Sequence, residues 1–228
     1  MKRFTLAFDV FGTLIDTSGV FGALAPLVGD QALPFMELWR GKQLEYTFRR
    51  GLMNKYVDFS ICTRQALDYC CLHFQRPLSD LQKGALMDEY SKLPAFPEVQ
   101  QSLKVLQGDR HRLFAFSNGS ARMVSTLMRN ANLDGLFHGV VSVENVSMFK
   151  PSPLVYQHFN DVTKSEKTDT WMVSGNAFDV IGAMDYGMRA IWVKRSPKMV
   201  FDPWGMEPTA TVSHIGELKE VLDKAFNE

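Results

Sequence analysis

Short apolar runs alternate with stretches of helical spacing from Pro94 onward, and this alternation constrains the fold more than any other feature of the chain. Each run is too short for a buried helix and ends in a turn signal, as buried strands do. Four runs follow Pro94, at residues 113–116, 140–143, 171–173 and 190–194, and a similar run stands earlier, at residues 4–8. Strands that alternate with helices form βαβ units. We therefore predict an α/β fold with a doubly wound, parallel, Rossmann-like core sheet that closes at residue 194.

Residues 15–93 differ from this pattern because they contain helical spacing and no convincing strand. Apolar residues recur at helical intervals behind Pro34, and a second helix follows that we expect Ser60 to cap. With 228 residues, the chain is long enough for a core and a smaller insert. We predict a core formed by residues 1–14 and 94–228, with residues 15–93 inserted after the first strand as a helical cap, or lid.

Composition narrows the range of partners. The 25 basic and 25 acidic residues balance, which disfavours nucleic acid and acidic membrane surfaces and leaves a small molecule as the expected partner. The basic cluster of Lys194, Arg195 and Lys198 is interpreted as a solvated loop. Asp9 interrupts the apolar start and no stretch is long enough to span a membrane, so we expect a soluble, cytoplasmic protein.

Several familiar site types are disfavoured by the residues present. Cys62, Cys70 and Cys71 fall on one helical stripe and are expected to be buried thiols in a reducing compartment. The histidines lack the spacing of metal ligands, and the chain has no motif for a P-loop, a dinucleotide site or a serine nucleophile.

Polar residues follow four of the predicted elements at the same end. Ligands of doubly wound sheets bind beyond the carboxyl ends of the strands, so residues at these ends are candidates for a site. Asp9 alone is ambiguous, because turn amides would also satisfy a carboxylate that ends a core strand. The candidates are Asp9, Thr13, Ser117, Asn118, Lys150, Ser174, Asn176 and Asp179.

Six short motifs together resemble the haloacid dehalogenase superfamily over nearly the whole chain. They are FDVFGTL at 8–14, LWR at 38–40, KQLEYT at 42–47, SNG at 117–119, FKP at 149–151 and SGN at 174–176. Within the superfamily the set is most similar to the L-2-haloacid dehalogenases, hydrolases that remove halide from short 2-haloacids. The resemblance implies (S)-2-haloacids and water as substrates, (R)-2-hydroxy acids as products and no cofactor or metal. It also implies a homodimer.

The residue types favour a dehalogenase over a phosphatase. Phosphatases of the superfamily carry a second Asp two residues after the nucleophile to protonate a poor leaving group, and this chain has Phe11 there. Halide leaves without a proton, so no acid is needed. Ser174 and Asn176 would also replace acidic magnesium ligands poorly. A magnesium-dependent small-molecule phosphatase and a non-catalytic protein that binds small anions remain as alternatives.

The resemblance assigns roles to the polar candidates. Asp9 would attack the carbon that bears the halogen and form an ester. Asp179, assisted by Asn176, would direct water onto that ester. Lys150 would be the cation beside the carboxylates, and Ser117 with Thr13 would hold the substrate carboxylate.

The remaining assignments concern the leaving halide and the walls of the site. Arg40 and Asn118 match the halide cradle of the family, and Phe59 matches a wall. Phe11 and Phe178 would line the substrate site, and Phe178 replaces a frequent Trp, as Gly41 replaces a frequent Gln. The resemblance also places Ser174 among the catalytic residues and Tyr156 among those that bind the substrate. Three assignments keep an alternative: Thr13 and Ser174 as turn caps, and Tyr156 as a core residue.

Overall fold

A six-stranded parallel sheet forms the centre of the computed structural model, which describes residues 3–109 and 111–225. The strands lie in the order β3-β2-β1-β4-β5-β6, so the predicted doubly wound parallel sheet is confirmed. Their bounds are β1 Thr5–Phe8, β2 Arg112–Ser117, β3 Gly139–Ser142, β4 Thr170–Ser174, β5 Arg189–Val193 and β6 Ala210–Val212.

Helices flank the sheet and fill the long connection after β1. They are α1 Phe21–Val28, α2 Ala32–Leu52, α3 Phe59–His73, α4 Asp80–Glu89, α5 Val99–Gly108, α6 Ala121–Asn130, α7 Pro153–Thr163, α8 Ala177–Tyr186 and α9 Leu218–Ala225. Single 3-10 turns occur at Thr17–Val20, Gly29–Gln31, Asp134–Leu136, Val143–Val146, Lys167–Asp169 and Ile215–Glu217. Among the described residues, no helix combines the length and apolar content that crossing a bilayer requires.

The central strand β1 is buried along its whole length, as expected for a parallel strand with helices on both faces of the sheet. Its last residue, Phe8, pairs in register with Ala115 of β2 and Val173 of β4. The three strands therefore end side by side. The residues that follow them are brought to one edge of the sheet, beside the central strand.

The segments that enter and leave the α1–α4 region pair with each other. Ile15 and Ala95 form an antiparallel bridge. The amide of Asp16 donates to Pro94 O at 2.8 Å, and the amide of Phe96 donates to Leu14 O at 3.0 Å. These bonds hold together the two predicted boundaries of the insert.

Helices α2 and α3 pack on each other through a stripe of residues spaced by four along α2. Phe35, Trp39, Gln43 and Thr47 are all buried. The three cysteines lie on the facing helix and are buried and unpaired with one another, as predicted. Burial raises the pKa of all three thiols, most clearly that of Cys70, to about 12.

Three sequence predictions were wrong. Asp58, not Ser60, caps α3, since its carboxylate accepts the Ser60 amide at 2.8 Å. The strand series does not close at residue 194, because β6 adds a sixth strand. With three residues, of which only Val212 is buried, β6 has no apolar run to signal it.

The third error concerns Arg195, which is not part of a solvated loop. Its guanidinium pairs with Glu98 at 2.5 Å, contacts the carbonyl oxygen of Thr13 and lies 3.9 Å from the centre of the Phe96 ring. The partners come from distant parts of the chain, so a local cluster of basic residues gave no sign of them.

Candidate active site

Asp9 directly follows β1, and three side chains from other parts of the chain bind its carboxylate. Lys150 Nζ lies 3.2 Å from Oδ1. Thr13 Oγ1 and Asn176 Nδ2 donate to Oδ2 at 2.8 and 2.7 Å. The backbone amide of Asp9 continues the sheet by donating to Val173 O at 3.0 Å. Side chains, rather than turn amides, therefore orient this carboxylate.

Lys150 is buried between two acidic side chains and is only 1% exposed. Its ammonium donates to Asp9, to Asp179 Oδ2 at 2.8 Å and to Phe116 O at 2.9 Å, so all three protons have acceptors. It also lies 4.1 Å from the centre of the Phe116 ring. Such complete pairing is what allows a cation to be buried at this depth.

Asp179 lies in the first turn of α8, where the helix dipole favours an anion. It is fully buried, and Tyr156 donates its hydroxyl proton to Oδ1 at 2.9 Å. Burial raises the pKa of Asp179 to about 6, with a further contribution from Asp9, while Lys150 and Tyr156 oppose the rise. Burial, and then Asp179, raise the pKa of the Tyr156 phenol well above its ordinary value, so it stays a donor.

The hydroxyl groups of Thr13 and Ser174 are used within the protein. Thr13 Oγ1 donates to Asp9 and accepts the Gly175 amide at 2.8 Å, and Thr13 is fully buried. A hydroxyl carries one proton, so Thr13 has none left for a substrate carboxylate, contrary to our expectation. Ser174 Oγ accepts the Asn176 amide at 3.1 Å, a contact that favours the turn-capping alternative.

Ser117 ends β2 and Asn118 follows it, and neither bonds to Asp9 within the described residues. Ser117 Oγ accepts the Gly119 amide at 3.1 Å, which leaves its proton for another partner. Asn118 Oδ1 accepts the Lys150 amide at 2.9 Å. The donor side of the Asn118 amide, Nδ2, is therefore the part that remains to bind a ligand.

Residues of the α1–α4 region and its end contact Phe11, which lies in the loop after β1. The Phe11 ring lies 5.7 Å from that of Phe59 and 6.3 Å from that of Tyr90. Its carbonyl oxygen accepts Asn176 Nδ2 at 3.0 Å and Arg40 Nη2 at 3.5 Å. Burial lowers the pKa of Arg40, and Tyr90 and Asp9 oppose this shift.

The remaining candidate, Phe178, lies one residue before Asp179 and packs edge-on against Phe48 of α2, with ring centres 5.0 Å apart. This pair joins α2 to α8. Tyr156 contacts Asp179, so it is a buried neighbour of the acidic groups and not a wall open to a ligand.

Sequence reasoning missed Gln43, Thr63 and Tyr90. Gln43 Oε1 accepts Arg40 Nη1 at 2.6 Å, and Gln43 Nε2 donates to Thr63 Oγ1 at 2.6 Å. A signal was present, since an amide four residues after Trp39 falls on the apolar stripe of α2, where an isolated polar group would be costly. Tyr90 directly follows α4 and gave no such signal.

Gly175 permits two backbone segments of the site to approach closely. A Cβ at this position would lie 2.4 Å from the carbonyl oxygen of Gly12, so Gly175→Ala must displace backbone. We expect the free energy of unfolding to fall by about 1–3 kcal/mol, as in overpacked cores. Gly41→Ala is the matched control, because its Cβ meets nothing within 4 Å and should stabilise the exposed middle of α2 by about 0.5–1 kcal/mol. Urea denaturation of both variants tests this, and equal stabilities would contradict it.

Comparisons with known proteins agree with this geometry. The model of the haloacid dehalogenase-like hydrolases matches residues 73–193. An (S)-2-haloacid dehalogenase of Pseudomonas sp. (strain YL) is 33% identical over 220 residues, which are 96% of this chain and 94% of the relative. Haloacetate dehalogenase H-2 of Moraxella sp. (strain B) is 33% identical over 213 residues, which are 93% of this chain and 95% of that relative.

A solved structure extends the likeness to the fold. The L-2-haloacid dehalogenase of Xanthobacter autotrophicus, with chloropropionic acid covalently bound, superposes with a TM-score of 0.92 at 27% identity and covers 97% of this chain and 98% of its own. The sheet, the site geometry and these relatives together show that the chain belongs to the haloacid dehalogenase-like hydrolases, in the family of the (S)-2-haloacid dehalogenases.

Proposed function

We propose that this protein is a hydrolytic dehalogenase that converts short (S)-2-haloacids to (R)-2-hydroxy acids and halide through an aspartyl ester, without a metal. The observation that carries the proposal is the fixed carboxylate of Asp9, held on one oxygen by Lys150 and on the other by Thr13 and Asn176. A carboxylate held in one orientation is suited to attack in line.

The first step is a displacement at the carbon that bears the halogen. A carboxylate oxygen of Asp9 forms a bond to this carbon as the carbon–halogen bond breaks, and the halogen leaves with the bonding electrons. Attack from the opposite side inverts the configuration. Lys150, Thr13 and Asn176 are positioned to orient the nucleophile, and Lys150 also balances its charge.

The second step frees the enzyme. Water attacks the carbonyl carbon of the ester while Asp179, with Asn176, orients it and takes its proton. The bond between this carbon and the ester oxygen, which Asp9 supplied in the first step, then breaks. That oxygen takes the proton held by Asp179 and leaves as the hydroxyl of the product, while the second proton of the water is released to solvent and Asp9 returns as a carboxylate with one oxygen from water. Burial is the main cause that raises the pKa of Asp179, and the negative charge of Asp9 raises it further. Esterification removes the charge of Asp9, so Asp179 ionises more readily in the intermediate.

Arg40 and Asn118 are proposed to cradle the departing halide, with Phe59 and Phe11 as apolar walls and Phe178 lining the approach. The guanidinium of Arg40 and the free donor of Asn118 supply positive charge and a hydrogen bond. The Ser117 hydroxyl and neighbouring strand-end amides would hold the substrate carboxylate. Thr13 holds the carboxylate of Asp9, and Tyr156 holds that of Asp179. Ser174 stabilises the turn before α8.

The donor set fits a dehalogenase better than a magnesium-dependent phosphatase. Lys150 Nζ lies between the carboxylates of Asp9 and Asp179 at 3.2 and 2.8 Å, which is the place where a cation bridging the two acids would bind. Phe11 occupies the position of the phosphatase acid, and its ring packs against Phe59 and Tyr90.

The domain division follows from the same proposal. We assign residues 1–14 and 94–228 to the catalytic core and residues 15–93 to a cap that carries Arg40 and Phe59 over the core. The paired linkers at Ile15 and Ala95 support a hinge there. A homodimer and a cytoplasmic location remain predictions, the latter supported by three buried free thiols.

The decisive experiment is turnover of racemic 2-chloropropionate in the presence of a chelator. We expect release of chloride from half of the substrate, with the (R)-enantiomer left unreacted. In a single turnover in ¹⁸O-water, the label should enter Asp9 before it appears in a released product. Hydrolysis of phosphate esters only with magnesium would identify a phosphatase instead. Binding of the acid without chloride release would identify an anion-binding protein.

A further inference from the structure

Gln43 is a fully buried amide at the contact between α2 and α3. Both ends of the amide are satisfied at short range, by the Arg40 guanidinium on the oxygen and by the Thr63 hydroxyl on the nitrogen, each at 2.6 Å. A buried amide without such partners would cost several kcal/mol. The two bonds therefore fix the side chain of Gln43.

Hydrogen bonds link Arg40 to Gln43, Gln43 to Thr63 and Thr63 to the carbonyl oxygen of Phe59. The last of these bonds fixes which group donates in the other two. Thr63 Oγ1 donates its single proton to Phe59 O at 2.9 Å, so it must accept from Gln43 Nε2. The amide oxygen of Gln43 must then face Arg40. Trp39 Nε1 donates to Thr63 O at 2.8 Å and holds the backbone of α3 at this point.

Gln43 binds the guanidinium without neutralising it. The hydrogen bonds of Arg40 to the described residues go to the amide of Gln43 and the carbonyl of Phe11, both uncharged. In contrast, Arg195, whose side chain is only 9% exposed, pairs with a carboxylate, that of Glu98. The charge of Arg40 therefore remains available to an anion.

We propose that Gln43 and Thr63 are positioning residues that aim the Arg40 guanidinium at the leaving halide without pairing it with a carboxylate. The inference rests on the proposed function, in which Arg40 binds the halide. Asp9, Asp179, Lys150 and Arg40 together carry no net charge. A carboxylate at position 43 would add a negative charge beside Arg40, where negative charge also develops on the halogen.

The kinetic test compares four variants acting on (S)-2-chloropropionate. We expect Gln43→Glu to lower kcat about 100-fold with little change in KM, because the halide charge develops only in the transition state. Thr63→Val should lower kcat about 10-fold by releasing the amide of Gln43, and Thr63→Ser should restore it. Thr47→Val is the matched control, since Thr47 is buried one turn further along α2 and bonds only to Leu44 O among the described residues. It should keep the wild-type kcat.

Bromide binding, measured by calorimetry in the absence of substrate, separates this inference from the proposed function. We expect Gln43→Glu and Thr63→Val to bind bromide more weakly than Thr47→Val and Thr63→Ser. This order supports the inference even if the wild-type protein releases no halide, a result that would overturn only the proposed function. Equal bromide affinities, or equal losses of kcat in Gln43→Glu and Thr47→Val, would overturn the inference.

Discussion

Replacing Lys150 with Met is expected to abolish dehalogenation and to lower the free energy of unfolding at pH 7 by about 3–5 kcal/mol. The ammonium lies 3.2 Å from Asp9 and 2.8 Å from Asp179, and both acids are buried. Met fills a similar volume but removes one donor from each of the two carboxylates and from Phe116 O. The loss is large because an uncompensated charge stays behind in the core.

The size of the loss should depend on pH. Burial raises the pKa of Asp179, and the charge of Lys150 opposes that rise, so the Met variant raises this pKa further. Protonation at low pH relieves the unpaired charges. The stability deficit of Lys150→Met should therefore grow as the pH rises from 5 to 8, in chemical denaturation followed at several pH values.

The double variant Lys150→Met with Asp179→Asn provides the control. It removes a buried charge together with its partner, so we expect it to be more stable at pH 7 than Lys150→Met alone. If the single variant lost less than about 1 kcal/mol at every pH, Lys150 would be no more than a surface-like ion pair.

Sequence reasoning was sufficient to place the fold and to group the charged residues, and the reason is topological. Parallel strands flanking β1 end in register, so residues that follow them share an edge of the sheet whatever their distance along the chain. Asp9 and Asn176, which follow β1 and β4, are separated by 167 positions and still lie in contact. Short apolar runs and the polar residues after them carried this information.

The hydrogen-bond partners of individual side chains could not be predicted from the strand order. Thr13 was expected at the substrate, but the loop that follows β1 turns its hydroxyl onto Asp9, four residues earlier. The stripe of α2 indicated a buried amide at Gln43, but its partner Thr63 lies on α3, whose position against α2 is a tertiary contact. The sixth strand and the environment of Arg195 were missed for the same reason, since neither is encoded in a local pattern.

Replacing Asp179 with Asn is expected to stop the second half of the reaction while leaving the first in place. Asp9 keeps Lys150, Thr13 and Asn176, so it should still displace halide. Without the carboxylate that takes the proton of water, hydrolysis of the ester should slow by about 100- to 10,000-fold. A burst of one halide per enzyme should follow, and mass spectrometry should find the ester on the peptide that contains Asp9. Steady turnover without an adduct would contradict the assignment.

The same variant should also change how stability depends on pH. The pKa of Asp179, raised to about 6 by burial and by Asp9, lies above the ~3.9 expected in the unfolded chain, so the native state holds this proton more tightly. This contribution to stability is fully present below pH 4 and is lost as the pH rises through 6. Asp179→Asn has no such loss. Between pH 4 and 7 its stability should therefore improve relative to the wild type by about 2–3 kcal/mol.

Asp185→Asn is the matched control for this measurement, because Asp185 is exposed in the last turn of the same helix. Its stability relative to the wild type should stay nearly constant over the same range, since an exposed carboxylate is hydrated in both states. Asn at position 179 also loses one of the two bonds that Asp179 makes with Lys150 and Tyr156, so the variant should begin at pH 4 less stable than the wild type. A flat difference curve for Asp179→Asn, or one that falls with pH, would show that ionised Asp179 costs the folded protein nothing. The carboxylate would then be a structural ion pair with Lys150, and the water would need another base.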